Sequence, residues 1–230
     1  MNPKTFSFDF TIIKEIYRVG LPAMAMQLLA SVMLAGANLI IARHSITAIA
    51  VFGIFFRLQS FIFMPVFGLG QGVIPLTGYN YGNRNPHRMK QTARIGIITA
   101  FCLTFTGFLI FQSFPRQLIT MFNSDPDLIE IGVTAMRRIS IGFLFIGPSI
   151  MSSVIFQAIG RGIPSLLLGI LRTIVILLPS MYILGELFGL DMLWFAFPIA
   201  EVTTFSLGIS WLYRVLEGIF HSMEPAAPGG

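Results

Sequence analysis

The stretch Thr47–Tyr79 reads TAIAVFGIFFRLQSFIFMPVFGLGQGVIPLTGY and carries one charged residue, Arg57. A helix needs about 20 consecutive, mostly apolar residues to cross a bilayer. This run exceeds that length and can tilt or bend as it crosses. Pro65 and Pro75 remove ladder hydrogen bonds, and Gly68, Gly70 and Gly72 soften the backbone between them. Interrupted backbone is tolerated at membrane depth only where protein or water satisfies it, which points to a transporter cavity. The same glycines also let neighbouring helices approach closely. On either reading the helix does not face lipid all round.

Five more segments of similar character flank it: Tyr17–Ala42, Met89–Phe114, Asp127–Ile159, Ser165–Gly185 and Asp191–Val215. A short amphipathic piece, Pro115–Phe122, leads to Ser124-Asp125-Pro126, a helix start signal. Asn83-Arg84-Asn85-Pro86 and Gly160-Arg161-Gly162 before Pro164 read as turns. The links are short and show no composition shift. The expectation is an all-α polytopic membrane protein with one domain of six transmembrane helices, residues 17–216. Residues 1–16 read as a cytoplasmic or interfacial segment and residues 217–230, rich in proline and glycine at the end, as a disordered cytoplasmic tail.

Composition supports this. The chain is 55% hydrophobic and 11% charged, with mean hydropathy +0.80, whereas a soluble domain carries about a quarter charged residues. The 23 Phe and 12 Met make the apolar surface large and adaptable. Cys102 is the only cysteine, which excludes a disulfide framework. His44, His87 and His221 are far apart and form no metal-ligand spacing. No phosphate-cradling loop, nucleophile elbow or paired-cysteine motif is present, so the reading is not an enzyme, with no cofactor and no metal. Met1–Asp9 is polar, and the apolar stretch after it is too long for a signal peptide.

The net charge is +5, but the basic residues lie beside apolar runs, which fits membrane topology rather than nucleic-acid binding. With the N-terminus in the cytoplasm, that side holds Lys4, Lys14, Arg18, Arg84, Arg88, Lys90, Arg94, Arg161 and Arg214. The opposite side holds Arg43 and Arg116, with Asp125, Asp127, Glu186 and Asp191. The bias puts a multi-pass protein in the cell membrane with both termini cytoplasmic.

Charges inside spans are costly and face the protein interior. Arg172 lies about 12 Å from the cytoplasmic end of the fifth segment, and Glu201 about 15 Å from the outer end of the sixth, at 1.5 Å per residue. In a core about 30 Å thick the two reach similar depth on neighbouring antiparallel helices. They are expected to pair or to share a wet pocket. Such a pair acts as a static tie that orders the bundle or as a proton- or cation-sensitive switch. Arg57, Gln59, Gln71, Asn80 and Gln157 complete the set of cavity candidates, with Gln27 and Asn38 as further polar groups in spans. Each alone suits interhelical bonding as well as binding, but as a set they would line a wet cavity. Arg137 and Arg138 also fall within a segment.

The order and spacing of several short motifs resemble the multidrug and toxic compound extrusion (MATE) family, most closely its MepA-like subgroup. They begin with Gly20-Leu21-Pro22, Ala50-Val51-Phe52-Gly53-Ile54 with Arg57, Met64-Pro65, Phe67-Gly68 and Gln71-Gly72. Pro75, Gly78-Tyr79-Asn80-Tyr81-Gly82, Phe122 with Ser124-Asp125-Pro126, and Phe156-Gln157-Ala158-Ile159-Gly160 follow. Arg172 ahead of Pro179, Gly189-Leu190-Asp191, Trp194 and Ala196-Phe197-Pro198 close the series.

Family members have twelve helices in two six-helix lobes, and the resemblance is to the second lobe only. It implies half of a multidrug/cation antiporter that exports cationic amphipathic compounds in exchange for H⁺ or Na⁺. Its partners would be membrane lipid, a small cationic substrate and a complementary N-terminal lobe or a second copy. One subgroup places a carboxylate about ten residues after the Gly-Leu-Pro motif and another in the fourth helix. Here the first position is near Ala30, and Phe143–Ser153 contains no acid. Glu201 is then the remaining coupling candidate. The alternatives are a lipid-linked precursor flippase of the same superfamily, whose cavities carry several cations, and a non-transporting lobe that needs a partner.

Overall fold

The computed structural model describes residues 10–223, so the expected interfacial start at 1–9 and the last residues of the tail, 224–230, lie outside the described residues. The helices are α1 (Phe10–Ala42), α2 (Ile46–Gly82), α3 (Pro86–Ser113), α4 (Pro115–Thr120), α5 (Pro126–Ser140), α6 (Phe143–Ala158) and α7 (Gly162–Ile170). After α7 the helix widens into a π-helical turn over Leu171–Leu177 and continues as α8 (Leu178–Phe188), α9 (Leu190–Leu193) and α10 (Ala196–Met223). No strand occurs among the described residues.

Local chemistry sets the helix starts. Ser45 Oγ accepts the Ala48 amide at 3.3 Å and opens α2. Asn85 Oδ1 accepts the Arg88 amide at 3.1 Å, with Pro86 in the first turn of α3. Asp125 Oδ1 accepts the amides of Asp127 and Leu128 at 2.9 and 3.3 Å ahead of α5, again with proline in the first turn. A side-chain acceptor at the cap and a proline lacking a donor both suit the unpaired amides of a helix start. Gly160, at φ +74°, turns the chain after α6 with a conformation that other residues rarely adopt.

Among the described residues, four helical runs are long and apolar enough to cross a membrane: Ile46–Gly82, Pro86–Ser113, Gly162–Phe188 and Leu190–Ile219. α5 and α6 pass the same test together, but they meet at a bend of 50°. α1 is 33 residues long, and its apolar part is Gln27–Ala42. The architecture is that of an all-α polytopic membrane protein.

Three boundaries differ from the sequence reading. α1 begins at Phe10 rather than Tyr17. The fourth segment is not one straight helix but breaks at Ile141–Gly142. α10 runs on to Met223, so residues from Glu217 to that point are helical rather than a loose tail. The reason is packing: Ile219 is buried in one cluster with Leu212, with Val215 and Leu216 against it, extending the apolar period of the helix.

α6 is the hub and touches α2, α3, α7 and α10. Its contact with α3 depends on Gly147, where an added Cβ would lie 2.6 Å from the Ala100 carbonyl oxygen and 2.5 Å from Thr104 Oγ1. One half of the core is aromatic: the Phe143 ring lies 6.2 Å from Phe55, 5.5 Å from Phe63 and 5.2 Å from Phe111. The other half is built on Val66, Met89, Met151, Ile155 and Phe156.

Candidate functional site

A cavity of about 650 Å³, open on one side, lies among α1, α2, α5, α6, α7, the π-helical turn and α10. α2 contributes Phe56, Gln59, Ser60, Phe63, Phe67, Gly70, Gln71 and Ile74. Their spacing follows i, i+3, i+4, i+7 along the chain, that of one helix face. α6 contributes Ser149, Ser153 and Gln157, and α10 contributes Phe197, Glu201, Thr204 and Gly208. The lining is mostly apolar, with scattered amides and hydroxyls.

Arg172 reaches this cavity from the π-helical turn. Pro179 has no amide to donate to the carbonyl of Val175, four residues earlier, and its ring crowds that carbonyl. Wider, i to i+5 bonding over Leu171–Leu177 accommodates both effects, and such turns recur at functional sites. Arg172 Nε donates to Glu201 Oε1 at 2.7 Å, and a guanidinium Nη2 contacts the same oxygen. Glu201 is only 4% exposed. Among the described residues no other charged side chain lines the cavity, so the described lining is electrically neutral overall.

The pair leaves capacity unused. Among the described residues Glu201 Oε2 has no hydrogen-bond partner, and neither do Thr204 Oγ1 and Ser149 Oγ, all in the lining. Thr204 is one helical turn beyond Glu201 and so lies on the same face of α10. The α5–α6 break packs directly against this spot. A Cβ on Gly142 would lie 3.1 Å from Glu201 Cγ and 3.5 Å from Pro198 Cα, so the glycine gives the carboxylate arm its room. A buried carboxylate with one oxygen held by arginine and one oxygen open can take up a proton or a small cation, or accept from a ligand.

Of the sequence candidates, Gln59, Gln71, Gln157, Arg172 and Glu201 line this cavity, and Gln27 joins them. Gln157 Nε2 donates to Ser165 Oγ at 3.3 Å. Arg57 does not line it, because it follows Phe56 and falls off the lining stripe of α2. Asn80 lies beyond Ile74, the last lining residue of α2, by about 9 Å along the axis. It sits in a separate groove, and its Nδ2 donates to the Leu76 carbonyl at 2.7 Å. Arg138 pairs with Asp191 at 3.8 Å and lies over the Phe195 ring at 5.2 Å, while Arg137 is exposed. The sequence reading did not single out Ser149 or Thr204. Their signals, a hydroxyl beside Pro148 and one a turn beyond Glu201, are too common to stand out.

Comparison with known proteins places this geometry. The MatE family profile matches residues 22–183. "Multidrug export protein MepA" of Staphylococcus haemolyticus (strain JCSC1435) is 30% identical over 211 residues, covering 89% of this chain and 45% of that protein. The protein of that name from Staphylococcus saprophyticus is 32% identical over 197 residues, covering 83% and 42%. The chain therefore spans less than half the length of these curated relatives. Among solved structures, an outward-facing multidrug resistance MATE family transporter of the MOP superfamily superposes with TM-score 0.88 at 25% identity, covering 95% of this chain and 50% of that one. An inward-facing conformation superposes with TM-score 0.81 at 26% identity, covering 95% and 51%. With the profile spanning most of its helices, this chain belongs to the MatE family.

Proposed function

We propose that the chain is one lobe of a multidrug antiporter that exports cationic amphipathic compounds in exchange for H⁺ or Na⁺. The observation that carries this reading is the one-sided cavity with a single buried ion pair, Arg172–Glu201, in its wall. The relatives it matches at half length are named as multidrug export proteins. A complementary N-terminal lobe or a second copy closes the open side. Aromatic and methionine side chains, Phe56, Phe63, Met64, Phe67, Phe143 and Phe197, give an adaptable wall for flat apolar ligands.

Glu201 is the coupling acid in this reading. A proton on the carboxylate, or Na⁺ on its free oxygen, weakens its hold on Arg172 and so communicates with the irregular turn that carries the arginine. The protein sits in the cell membrane with both termini cytoplasmic, by the loop charge bias. The flippase alternative calls for several cations in the cavity. Among the described residues Arg172 is the one cation that lines it, and Glu201 already engages it, which weighs against that alternative.

The test is to express the chain in a host lacking drug exporters, follow ethidium efflux, and measure the mass of the purified protein in mild detergent. Efflux that Glu201→Gln abolishes, from a protein with two-lobe mass, supports the reading. A monomer without efflux identifies an isolated lobe and turns the search to a missing complementary lobe.

A further inference from the structure

The motif Gly78-Tyr79-Asn80-Tyr81-Gly82 and the candidate Asn80 play no part in the cavity. They belong to a second groove of about 530 Å³ between the end of α2 and the start of α3. We propose that this groove holds the headgroup of an anionic phospholipid.

Its walls are two facing helical stripes. On the α2 side the lining residues are Leu76, Tyr79, Asn80 and Asn83, which caps the helix; on α3 they are Arg88, Gln91, Thr92 and Ile95, with Asn85 in the turn between. Both series follow i, i+3, i+4, i+7, so each is one face of its helix. The polarity is graded along the groove. Leu76 and Ile95, 57% and 54% exposed, lie toward the bilayer interior, where an acyl chain would pack. Arg88, Asn83 and Gln91 lie toward the α2–α3 turn and offer donor groups to phosphate oxygens. Tyr79, 70% exposed, sits between them at the level where aromatic rings favour the membrane–water boundary.

Charge selects the class of lipid. Arg84, Arg88, Lys90 and Arg94 cluster around this turn and are all exposed. No acidic residue occurs in the chain between Glu15 and Asp125. At the opposite end of the bundle two arginines have carboxylates, Arg43 with Glu186 and Arg138 with Asp191. Of these four basic residues Arg88 lines the groove itself, and none of the four forms an ion pair among the described residues. A phosphatidylcholine headgroup carries its own compensating cation, whereas phosphatidylglycerol brings a net negative charge that this cluster lacks. The basic side is the one that loop charge assigns to the cytoplasm, where anionic lipid attracts such clusters.

Native mass spectrometry of the full chain, released from mixed micelles of phosphatidylglycerol and phosphatidylcholine, tests this. The wild type is expected to retain phosphatidylglycerol in preference. Arg88→Gln is expected to reduce that retention about fivefold, the worth of one basic side chain at an anionic surface. Asn83→Ala is expected to weaken it further, while Arg214→Gln, a cation at the same end but outside the groove, is expected to leave it unchanged. Melting temperature in detergent confirms that each variant is folded. Equal retention of the two lipids by the wild type overturns the proposal, as does an unchanged Arg88→Gln. A loss in Arg214→Gln as large as in Arg88→Gln means diffuse surface charge and also overturns it. Displacement of the lipid by an equal concentration of inorganic phosphate reassigns the groove to soluble phosphate.

Discussion

Arg172 and Glu201 stand 29 residues apart in sequence, yet Arg172 Nε donates to Glu201 Oε1 at 2.7 Å across the fifth and sixth helical columns. The carboxylate is buried and half-satisfied, because Oε2 has no partner. Removing one member of a buried pair leaves an uncompensated charge, which is destabilising by about 3–5 kcal/mol, whereas replacing both with apolar groups of similar size is often neutral or stabilising. Arg172→Ala should therefore lower the melting temperature in detergent, and Arg172→Met with Glu201→Met should restore it. Efflux should stay lost in the double variant if Glu201 couples transport. Efflux restored along with stability would leave the pair as a structural tie.

Pro179→Ala returns an amide to the helix where Val175 needs one, and so should relax the π-helical turn to ordinary α-helix. Loss of one residue of slack rotates Arg172 about 100° relative to the segment beyond the turn. The variant should stay folded, with equal or higher thermal stability, and lose efflux. Unchanged efflux would show that the turn does not aim the arginine.

Filling the cavity should block ligand without harming the fold. Ser153→Phe places an aromatic ring in the lining and should weaken ethidium binding at least about tenfold, or about 1.4 kcal/mol, at unchanged melting temperature. Arg57→Gln, outside the lining, should leave binding unchanged. Quenching of ethidium fluorescence on the purified chain distinguishes the two.

The α3–α6 seam should be the least tolerant place in the bundle. A Cβ at Gly147 meets backbone at 2.6 Å, which cannot move aside as a side-chain tip can. Gly147→Ala should destabilise by about 1–3 kcal/mol or more, the range for overpacked cores. Gly72→Ala, with nothing within 4 Å, should be neutral in the same thermal assay.

The helical segments and the Arg172–Glu201 partnership were legible in the sequence because both depend on counting along a helix. Length and apolarity mark a span, and rise per residue gives depth. What faces what was harder to read. Arg57 and Gln59 are two positions apart, yet only Gln59 lines the cavity, because helix rotation is set by packing partners that a single sequence does not show. Asn80 reads as a cavity residue by its type and lies in the separate groove at the end of α2 instead. The α5–α6 bend left little trace, since apolar composition runs through it and Gly142 is one glycine among many. The π-helical turn is likewise apolar except for Arg172 and Thr173, with Pro179 as its one outward sign.

The neutrality of the cavity lining has an electrical consequence. A charge carried across a membrane responds to the potential by about 2.3 kcal/mol per 100 mV. Arg172 and Glu201 cancel, so in the proposed antiporter an empty lobe that swings its cavity from one side to the other would move no net charge with its described lining. Voltage would then have no grip on the unloaded return stroke. It would act only when a cationic passenger, or an ion taken up by Glu201, unbalances the pair, which would make membrane potential a sensor of cargo rather than a constant brake.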